Sequence, residues 1–254
     1  MPQLIHKSSE VSTSVKIGKN VSIGPFCYID GNIDIDDNTE IVSHCCIFGN
    51  VKLGKANKIF PFANIGCEPQ DLKFEGEDSH LIIGNNNTIR ENVTISKGTK
   101  GDNMITKIGN SNLLMNGTHI AHDCQIGNKN IFATNAAIAG HVKIINNVII
   151  GGQSAVQQFV TVGSYSMVGG MSGVDKNILP ASLVLGNRAK LRGLNLVGLR
   201  RAEFTKEEIK KIEILHKDIE LISGLRNDNS NDRVIDIFDN YLKSQNEKIG
   251  TVKQ

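Results

Sequence analysis

The sequence predicts an all-β solenoid, a parallel β-helix of hexapeptide repeats closed by a C-terminal α-helical cap. A bulky apolar residue recurs at every sixth position from Val11 to Val174, with two interruptions. Glycine often follows that residue directly, as in Ile17-Gly18 and Ile126-Gly127. The period is lost after Pro180, where helical spacing takes over. A period of six fits neither an α-helix nor an ordinary strand, but in a parallel β-helix each hexapeptide forms one flat side of a coil.

The apolar row has three runs, Val11–Ile65, Ile83–Ile95 and Ile108–Val174. Three flat sides close one coil, so residues 18 positions apart should stack, about 4.8 Å from one another along the axis. The chain has no Trp, and the row is rich in Ile and Val, which suit a narrow core of β-branched side chains. Glycine, with 25 residues, relieves steric crowding where the chain turns a corner.

The two interruptions predict loops that leave the solenoid. The first interruption places Asp71 and Glu77 at in-phase positions, which predicts a polar loop at 66–80. The second is one residue out of phase and predicts a loop at 97–107. Loops on a rigid scaffold commonly carry binding groups, although a tolerated surface insertion is the alternative for each.

The tail is predicted to be helical. We divide the chain into a β-helix at 1–186 and an α-helical domain at 187–254. Thr205 followed by two acidic residues in the next turn is typical of a helix N-cap. Residues 227–232 predict a turn, and Val234–Leu242 a further helix. These helices would cover the strand edges at the open end of the solenoid.

Composition limits the function classes. The 254 residues carry a formal net charge of +2, too small to indicate nucleic-acid binding. No apolar run approaches the ~18 residues that a membrane span needs, so we expect no membrane insertion, and the N-terminus lacks the pattern of a signal peptide. The five cysteines are odd in number and form no C-x-x-C pair. They are typical of reduced thiols, which predicts a cytoplasmic protein.

The stacking rule brings a polar cluster together. His122 stacks on Gly140 and then on Gln158, while Asp123 stacks on His141. A neutral imidazole can take a proton from a hydroxyl near neutral pH, and a neighbouring carboxylate can orient it. The Gly140 N–H could approach a developing oxyanion closely. The alternative interpretation is that these are surface histidines without a functional role.

Here the chain resembles a known family. The run Leu113–Cys124 (LLMNGTHIAHDC), followed by Ala139–Val142 (AGHV), is similar to the UDP-N-acetylglucosamine O-acyltransferases. The similarity extends to further segments, namely Ile23–Cys27, Pro69–Lys73, Ile89–Ile95, Met167–Gly170 and Gly186–Asn187. Hexapeptides occur in many acyltransferases, so the specific signal is the His-Ile-Ala-His-Asp-Cys run together with Gln-Asp-Leu-Lys in the first loop.

The resemblance implies a left-handed β-helix, a hand that the residues alone do not give, because most parallel crossovers are right-handed. It implies a homotrimer with active sites between subunits. It also implies direct transfer of a 3-hydroxyacyl group from acyl carrier protein to the glucosamine 3-hydroxyl of UDP-N-acetylglucosamine, the first step of lipid A biosynthesis. No cofactor or metal is expected.

Matched residue by residue, the resemblance makes His122 the general base, Asp123 its orienting carboxylate and Gly140 the oxyanion donor. The other matched positions are Gln70, Asp71, Lys73, His119, His141 and Gln158 for substrate, Asn195 and Arg201 for the nucleotide, and Gly170 at the end of the acyl pocket. Some relatives have His at the positions of Gln157 and Ser96, and Arg at that of Ala202, so substrate contacts there can differ. The sequence leaves acyl length open, and a 3-amino sugar nucleotide remains an alternative acceptor.

Other classes fit less well. A zinc enzyme of the γ-carbonic anhydrase type would need His119 and His122 on one ion, yet on a regular strand residues three apart face opposite sides. An ice-binding or purely structural solenoid would show rows of Thr. The related N-acyltransferase carries an extra domain before its repeats, which we do not expect here because the row begins at Val11. Cys124 is a conceivable nucleophile, but direct transfer from a thioester needs none.

Overall fold

The computed structural model describes residues 4–221, 232–245 and 249–252. Most of the turn predicted at 227–232 lies outside these residues. The strands β1 to β26 are, in order, Leu4–Ile5, Glu10–Val11, Lys16–Ile17, Ser22–Ile23, Tyr28–Ile35, Glu40–Ile41, Cys46–Leu53, Lys58–Ile59, Asn64–Cys67, His80–Ile83, Thr88–Ile89, Thr94–Ser96, Ile105–Ile108, Leu113–Leu114, His119–Ile120, Gln125–Ile126, Ile131–Phe132, Ala137–Ile138, Lys143–Ile144, Ile149–Ile150, Ala155–Val156, Thr161–Val162, Met167–Val168, Gly173–Val174, Ser182–Leu185 and Lys190–Leu194. The helices are α1 (Leu196–Arg201), α2 (Lys206–Lys217) and α3 (Arg233–Ser244).

The strands stack as a parallel β-helix. One sheet runs β1-β4-β6-β8-β11-β14-β17-β20-β23-β25-β26, so strands adjacent in the sheet are never adjacent in the chain until its end. The other two sides of the coil join into a second sheet. Its long strands β5 and β7 lie side by side from Tyr28 opposite Cys46 to Ile35 opposite Leu53. The strand pairs from β13 to β24 are 18 residues apart, as in Ile131 opposite Ile149, which matches the stacking rule.

The apolar row forms the core. Every member from Ile23 to Val174 is buried, whereas Val11 and Ile17 are only partly buried because they lie near the first coil. Corners are tight, and many of them place a non-glycine residue at positive φ, including Asp123 at 59° and His141 at 62°. The polypeptide therefore turns sharply where the polar cluster lies.

Two loops leave the coils. The first connects β9 to β10 through residues 68–79, and the second connects β12 to β13 through residues 97–104. Because of these loops, the residues stacked on β10 from the neighbouring coils are further away in sequence than in the regular coils. His80 lies opposite Asn50 on one side and opposite Ile105 on the other.

The end of the solenoid is covered. β26 pairs antiparallel with β25, so residues 187–254 begin with a strand, and the domain boundary at 186 remains a prediction. The predicted N-cap is confirmed, because Thr205 and Glu208 form a capping box at the start of α2. Near the chain end, Val252 N–H donates to the Asn177 carbonyl at 2.9 Å. Among the described residues, no helix has the length and apolar character required to cross a bilayer.

Candidate active site

His122 and Asp123 form a buried pair at the corner after β15. His122 Nδ1 lies 2.9 Å from Asp123 Oδ2, and the two residues are 5% and 1% exposed. Burial raises the pKa of the Asp123 carboxyl, but hydrogen bonds from His122 and Thr99 outweigh burial and leave the pKa below its ordinary value. The ionised carboxylate can only accept, so Nδ1 carries the proton that is donated to it. His122 Nε2 therefore keeps a free lone pair, as a general base requires.

Gly140 lies directly against the imidazole. A Cβ at this position would lie 2.5 Å from His122 Cε1 and 2.6 Å from Nε2, so any side chain would displace the ring. Within residues 4–221, 232–245 and 249–252, the Gly140 N–H has no hydrogen-bond acceptor. A basic nitrogen and an unpaired N–H donor thus lie side by side, an arrangement suited to carbonyl chemistry.

His141 is held on the next coil. Its Nδ1 lies 3.2 Å from Asp102 Oδ2, and its Nε2 lies 3.9 Å from Asp123 Oδ2. Its ring stacks on Phe159 with centroids 4.6 Å apart, and meets the His122 ring edge-on at 5.0 Å. The imidazole is consequently fixed both in plane and in position.

A groove of about 560 Å³ opens beside this cluster. Of the predicted site residues, those lining it are Gln70, His119, His122, Gly140 and Gln158. Its floor continues from His119 through Ala137 and Ala155 to Gly173, whose strands pair in register. Because these side chains become smaller along the axis, the groove has room for an extended apolar chain.

His119 is fixed by Thr94, whose hydroxyl oxygen lies 2.7 Å from His119 Nδ1. Burial lowers the pKa of His119, and the nearby His122 lowers it further. Both effects favour the neutral form of the imidazole.

Other predicted residues lie apart from this groove. Asp71 and Lys73 share the first loop with Gln70, and the Asp71 carboxylate accepts a hydrogen bond from the Lys73 N–H at 3.0 Å. Asn195 and Arg201 line a second groove, of about 780 Å³, on the sheet face formed by β17, β20 and β23. Gly170 lies exposed at the corner between β23 and β24. Within one chain, the predicted substrate and nucleotide residues therefore lie on two different faces of the solenoid.

Asn195 also has a structural role. Its side-chain oxygen accepts from the Gly198 N–H at 3.1 Å, and its amide donates to the Tyr165 carbonyl at 2.8 Å. These bonds cap α1 and leave one amide hydrogen for a ligand.

The departures from the family pattern fall in three settings. Gln157 lines the first groove, Ala202 lines the second, and Ser96 is buried in β12. Sequence reasoning missed Asp175, which lines the first groove and lies 3.8 Å from Arg188 in an ion pair. Asp175 lies two residues beyond Gly173, which stacks on Ala155, and this position in the repeat could have predicted that it lies at the groove.

The alternative chemistries have little geometric support. Ligand atoms of His122, Asp123 and His141 lie within 4.8 Å of one another, but the Asp123 oxygens already accept hydrogen bonds from His122 and Thr99 that a metal would have to displace. Burial raises the pKa of Cys124 to about 12, and its thiol donates to the Ala139 carbonyl at 3.1 Å. A buried thiol that stays protonated is a poor nucleophile.

Comparison with known proteins agrees with the fold and identifies the family. Residues 178–251 match the family described as UDP-N-acetylglucosamine O-acyltransferase, domain 2, and residues 14–49 and 105–140 match the bacterial transferase hexapeptide family. The chain is 59% identical over 204 residues to an acyl-[acyl-carrier-protein]–UDP-N-acetylglucosamine O-acyltransferase of Rickettsia bellii, covering 80% of this chain and 73% of that one.

Solved structures show the same architecture. LpxA from Acinetobacter baumannii superposes with a TM-score of 0.90 at 38% identity, covering 98% of this chain and 99% of that one. The UDP-N-acetylglucosamine acyltransferase of Francisella novicida gives 0.91 at 34% identity, with 99% and 94% covered. The expected left-handed parallel β-helix is confirmed. With this identity, this coverage and this fold, the chain belongs to the UDP-N-acetylglucosamine O-acyltransferase family.

Proposed function

We propose that this protein transfers a 3-hydroxyacyl group from acyl carrier protein to the glucosamine 3-hydroxyl of UDP-N-acetylglucosamine, as the first step of lipid A biosynthesis. The observation that carries the proposal is the buried His122–Asp123 pair packed against Gly140 at an apolar groove. Membership in a family whose relatives are named for this reaction supports it.

In the proposed mechanism, His122 Nε2 removes the proton of the sugar 3-hydroxyl as that oxygen attacks the thioester carbonyl. The Gly140 N–H stabilises the oxyanion of the tetrahedral intermediate. Collapse of the intermediate forms the ester and breaks the C–S bond, and the imidazolium returns the proton to the leaving thiolate. The Asp123 carboxylate stabilises the imidazolium throughout.

We assign the substrate contacts to both grooves. Gln70, His119 and Gln158 line the first groove, His141 adjoins it, and Asp71 and Lys73 lie on the loop beside Gln70. Asn195 and Arg201 would meet the nucleotide. Because these two lie on another face, we propose a homotrimer in which a second copy brings its Asn195 groove against the first groove. We place the enzyme in the cytoplasm, in keeping with its unpaired thiols.

Gly170 provides a test of the acyl pocket. In the part of the chain that the structure describes, only the Gly152 backbone lies within 4 Å of a Cβ built at Gly170, so a longer side chain can extend from this corner. We expect Gly170→Met to move the ratio of kcat/KM for long and short acyl donors toward the short ones by about 10- to 100-fold, because it fills the pocket's end.

Steady-state assays with a series of acyl carrier thioesters measure that ratio. Gly250→Met is a matched control, since a Cβ there meets no atom of the described residues within 4 Å and Gly250 lies far along the chain from Gly170. An unchanged ratio in Gly170→Met would place the end of the pocket elsewhere.

The segment 187–201 holds five basic residues and no acid, and we propose that it docks the acidic carrier protein. Arg188, Lys190 and Arg192 are all exposed, and Arg188 adjoins the first groove. Changing these three to Gln should raise KM for the carrier substrate and flatten its salt dependence, because such charges mainly speed encounter. KM for the sugar nucleotide should stay nearly constant.

The matched control removes three cations on distant coils, with Lys16, Lys52 and Lys58 changed to Gln. Wild-type carrier kinetics across a salt series in the first triple variant would contradict docking at this segment. A loss confined to nucleotide binding would reassign the cations to the diphosphate.

Product analysis tests the proposed function as a whole. The purified protein is incubated with 3-hydroxyacyl carrier thioesters of several lengths and with UDP-N-acetylglucosamine or its 3-amino analogue, and products are identified by mass spectrometry. We expect an ester of UDP-N-acetylglucosamine that mild base hydrolyses. A base-resistant amide made in preference to the ester would favour the 3-amino acceptor, and no acylated nucleotide from any pair would contradict acyl transfer.

A further inference from the structure

The carboxylate of Asp123 is held by a residue that does not belong to its coil. Thr99, on the second loop, donates its N–H to Asp123 Oδ1 at 2.9 Å and Oδ2 at 3.1 Å, and its hydroxyl to Oδ2 at 2.6 Å. Thr99 is 3% exposed and Asp123 1%. Hydrogen bonds to a buried ion are stronger than neutral ones, so this contact is a large local constraint.

The contact determines which way the carboxylate faces. Oδ2, the oxygen that accepts from His122 Nδ1, is the one that accepts the Thr99 hydroxyl. The Asp123 N–H is separately bound to the Thr106 hydroxyl oxygen at 2.8 Å. The backbone of Asp123 is thus anchored by its own stack, whereas the rotation of its carboxylate depends on Thr99 and His122.

The loop that carries Thr99 is itself anchored. The Lys97 N–H donates to the Cys67 carbonyl at 3.0 Å, and the Gly98 N–H donates to the His80 carbonyl at 3.2 Å. The Lys100 N–H donates to Glu77 Oε1 at 2.9 Å, which ties the second loop to the first. Thr99 therefore approaches Asp123 from a fixed position.

We propose that Thr99 is a positioning residue for the reaction, and that its hydroxyl keeps the Asp123 carboxylate in the orientation that holds His122 as the Nδ1-protonated tautomer. The effect of Thr99 on catalysis rests on the proposed function. Without the hydroxyl, Thr99 holds the carboxylate through its N–H alone, and the carboxylate can rotate away from Nδ1. The imidazole can then take the tautomer in which Nε2 carries the proton and cannot act as a base.

Kinetics of Thr99→Val and Thr99→Ser test the catalytic consequence. Val keeps the shape of Thr but lacks the hydroxyl, and Ser keeps the hydroxyl. We expect kcat to fall about 10- to 100-fold in Thr99→Val with little change in either KM, because a small misplacement of a catalytic group costs that much. Thr99→Ser should recover most of kcat.

Thr39→Val is the matched control. Thr39 is 1% exposed and its hydroxyl donates to the Gly54 carbonyl at 3.0 Å, on coils away from the groove. Its loss should leave kcat unchanged. Equal losses of kcat in Thr39→Val and Thr99→Val would show a general cost of removing a buried hydroxyl and overturn the proposal, as would wild-type kcat in Thr99→Val.

A second readout needs no substrate. With ¹⁵N-labelled histidine in the intact protein, the His122 ring shifts near pH 8 report which nitrogen carries the proton. We expect the Nδ1-protonated form alone in the wild type and in Thr99→Ser, and a mixture in Thr99→Val. A wild-type pattern in Thr99→Val would overturn the proposal. Absence of acyl transfer in the wild type, with these tautomer patterns intact, would instead count against the proposed function only.

Discussion

Replacing His122 by Ala should lower kcat for acyl transfer about 10²–10⁴-fold, because removal of a general base typically costs that much. The ring lies at the groove and its hydrogen bond goes to the neighbouring Asp123, outside the apolar row that forms the core, so the fold should survive its removal. The measurement is steady-state turnover of the purified variant with carrier thioester and sugar nucleotide at saturation.

His6→Ala is the control for loss of a histidine, since His6 is exposed near the N-terminus. The circular dichroism of both variants should match the wild type. If His122→Ala kept more than about a tenth of wild-type turnover, another group would have to be the base.

Replacing Asp123 by Asn should be nearly as damaging, on the order of a 10³–10⁴-fold loss in kcat, because it selects the wrong tautomer of the base. The Asn oxygen can still accept from Thr99, which leaves its NH₂ group facing His122 Nδ1. Nδ1 would then accept a hydrogen bond, and Nε2 would carry the proton.

Asp37→Asn controls for the loss of a carboxylate that accepts a backbone N–H. Asp37 Oδ1 accepts from the Lys19 N–H at 2.7 Å on coils remote from the groove. The control should retain wild-type kcat. An Asp123→Asn variant with a similarly small effect would mean that the carboxylate only stabilises the corner.

The regular part of the site could be predicted from the sequence because it follows the repeat. A spacing of 18 residues places Gly140 beside His122, and a Cβ built at Gly140 would lie only 2.5 Å from the imidazole. The same spacing places His141 on Asp123, and the two side chains approach to 3.9 Å. Stacking of this kind depends only on a constant number of residues per coil, and the spacing of the apolar row gives that number directly.

The loop contacts could not be predicted in this way. Thr99 and Asp102 lie in a segment that breaks the period, so no register relates them to Asp123 and His141. Their contacts depend on the path of a loop fixed by hydrogen bonds to the first loop and to β10. Likewise, the placement of Asn195 on a different face follows from the packing of the tail, which has no repeat.

The proposed function depends on direct passage of the acyl group from the carrier thioester to the sugar, with His122 taking the proton. A rapid-quench time course with an acyl-labelled carrier thioester tests it most directly, with and without UDP-N-acetylglucosamine. We expect label in the acylated nucleotide when the acceptor is present, and no label bound to the protein at any time in either reaction. Protein-bound label that forms without acceptor and then moves to the nucleotide would contradict direct transfer.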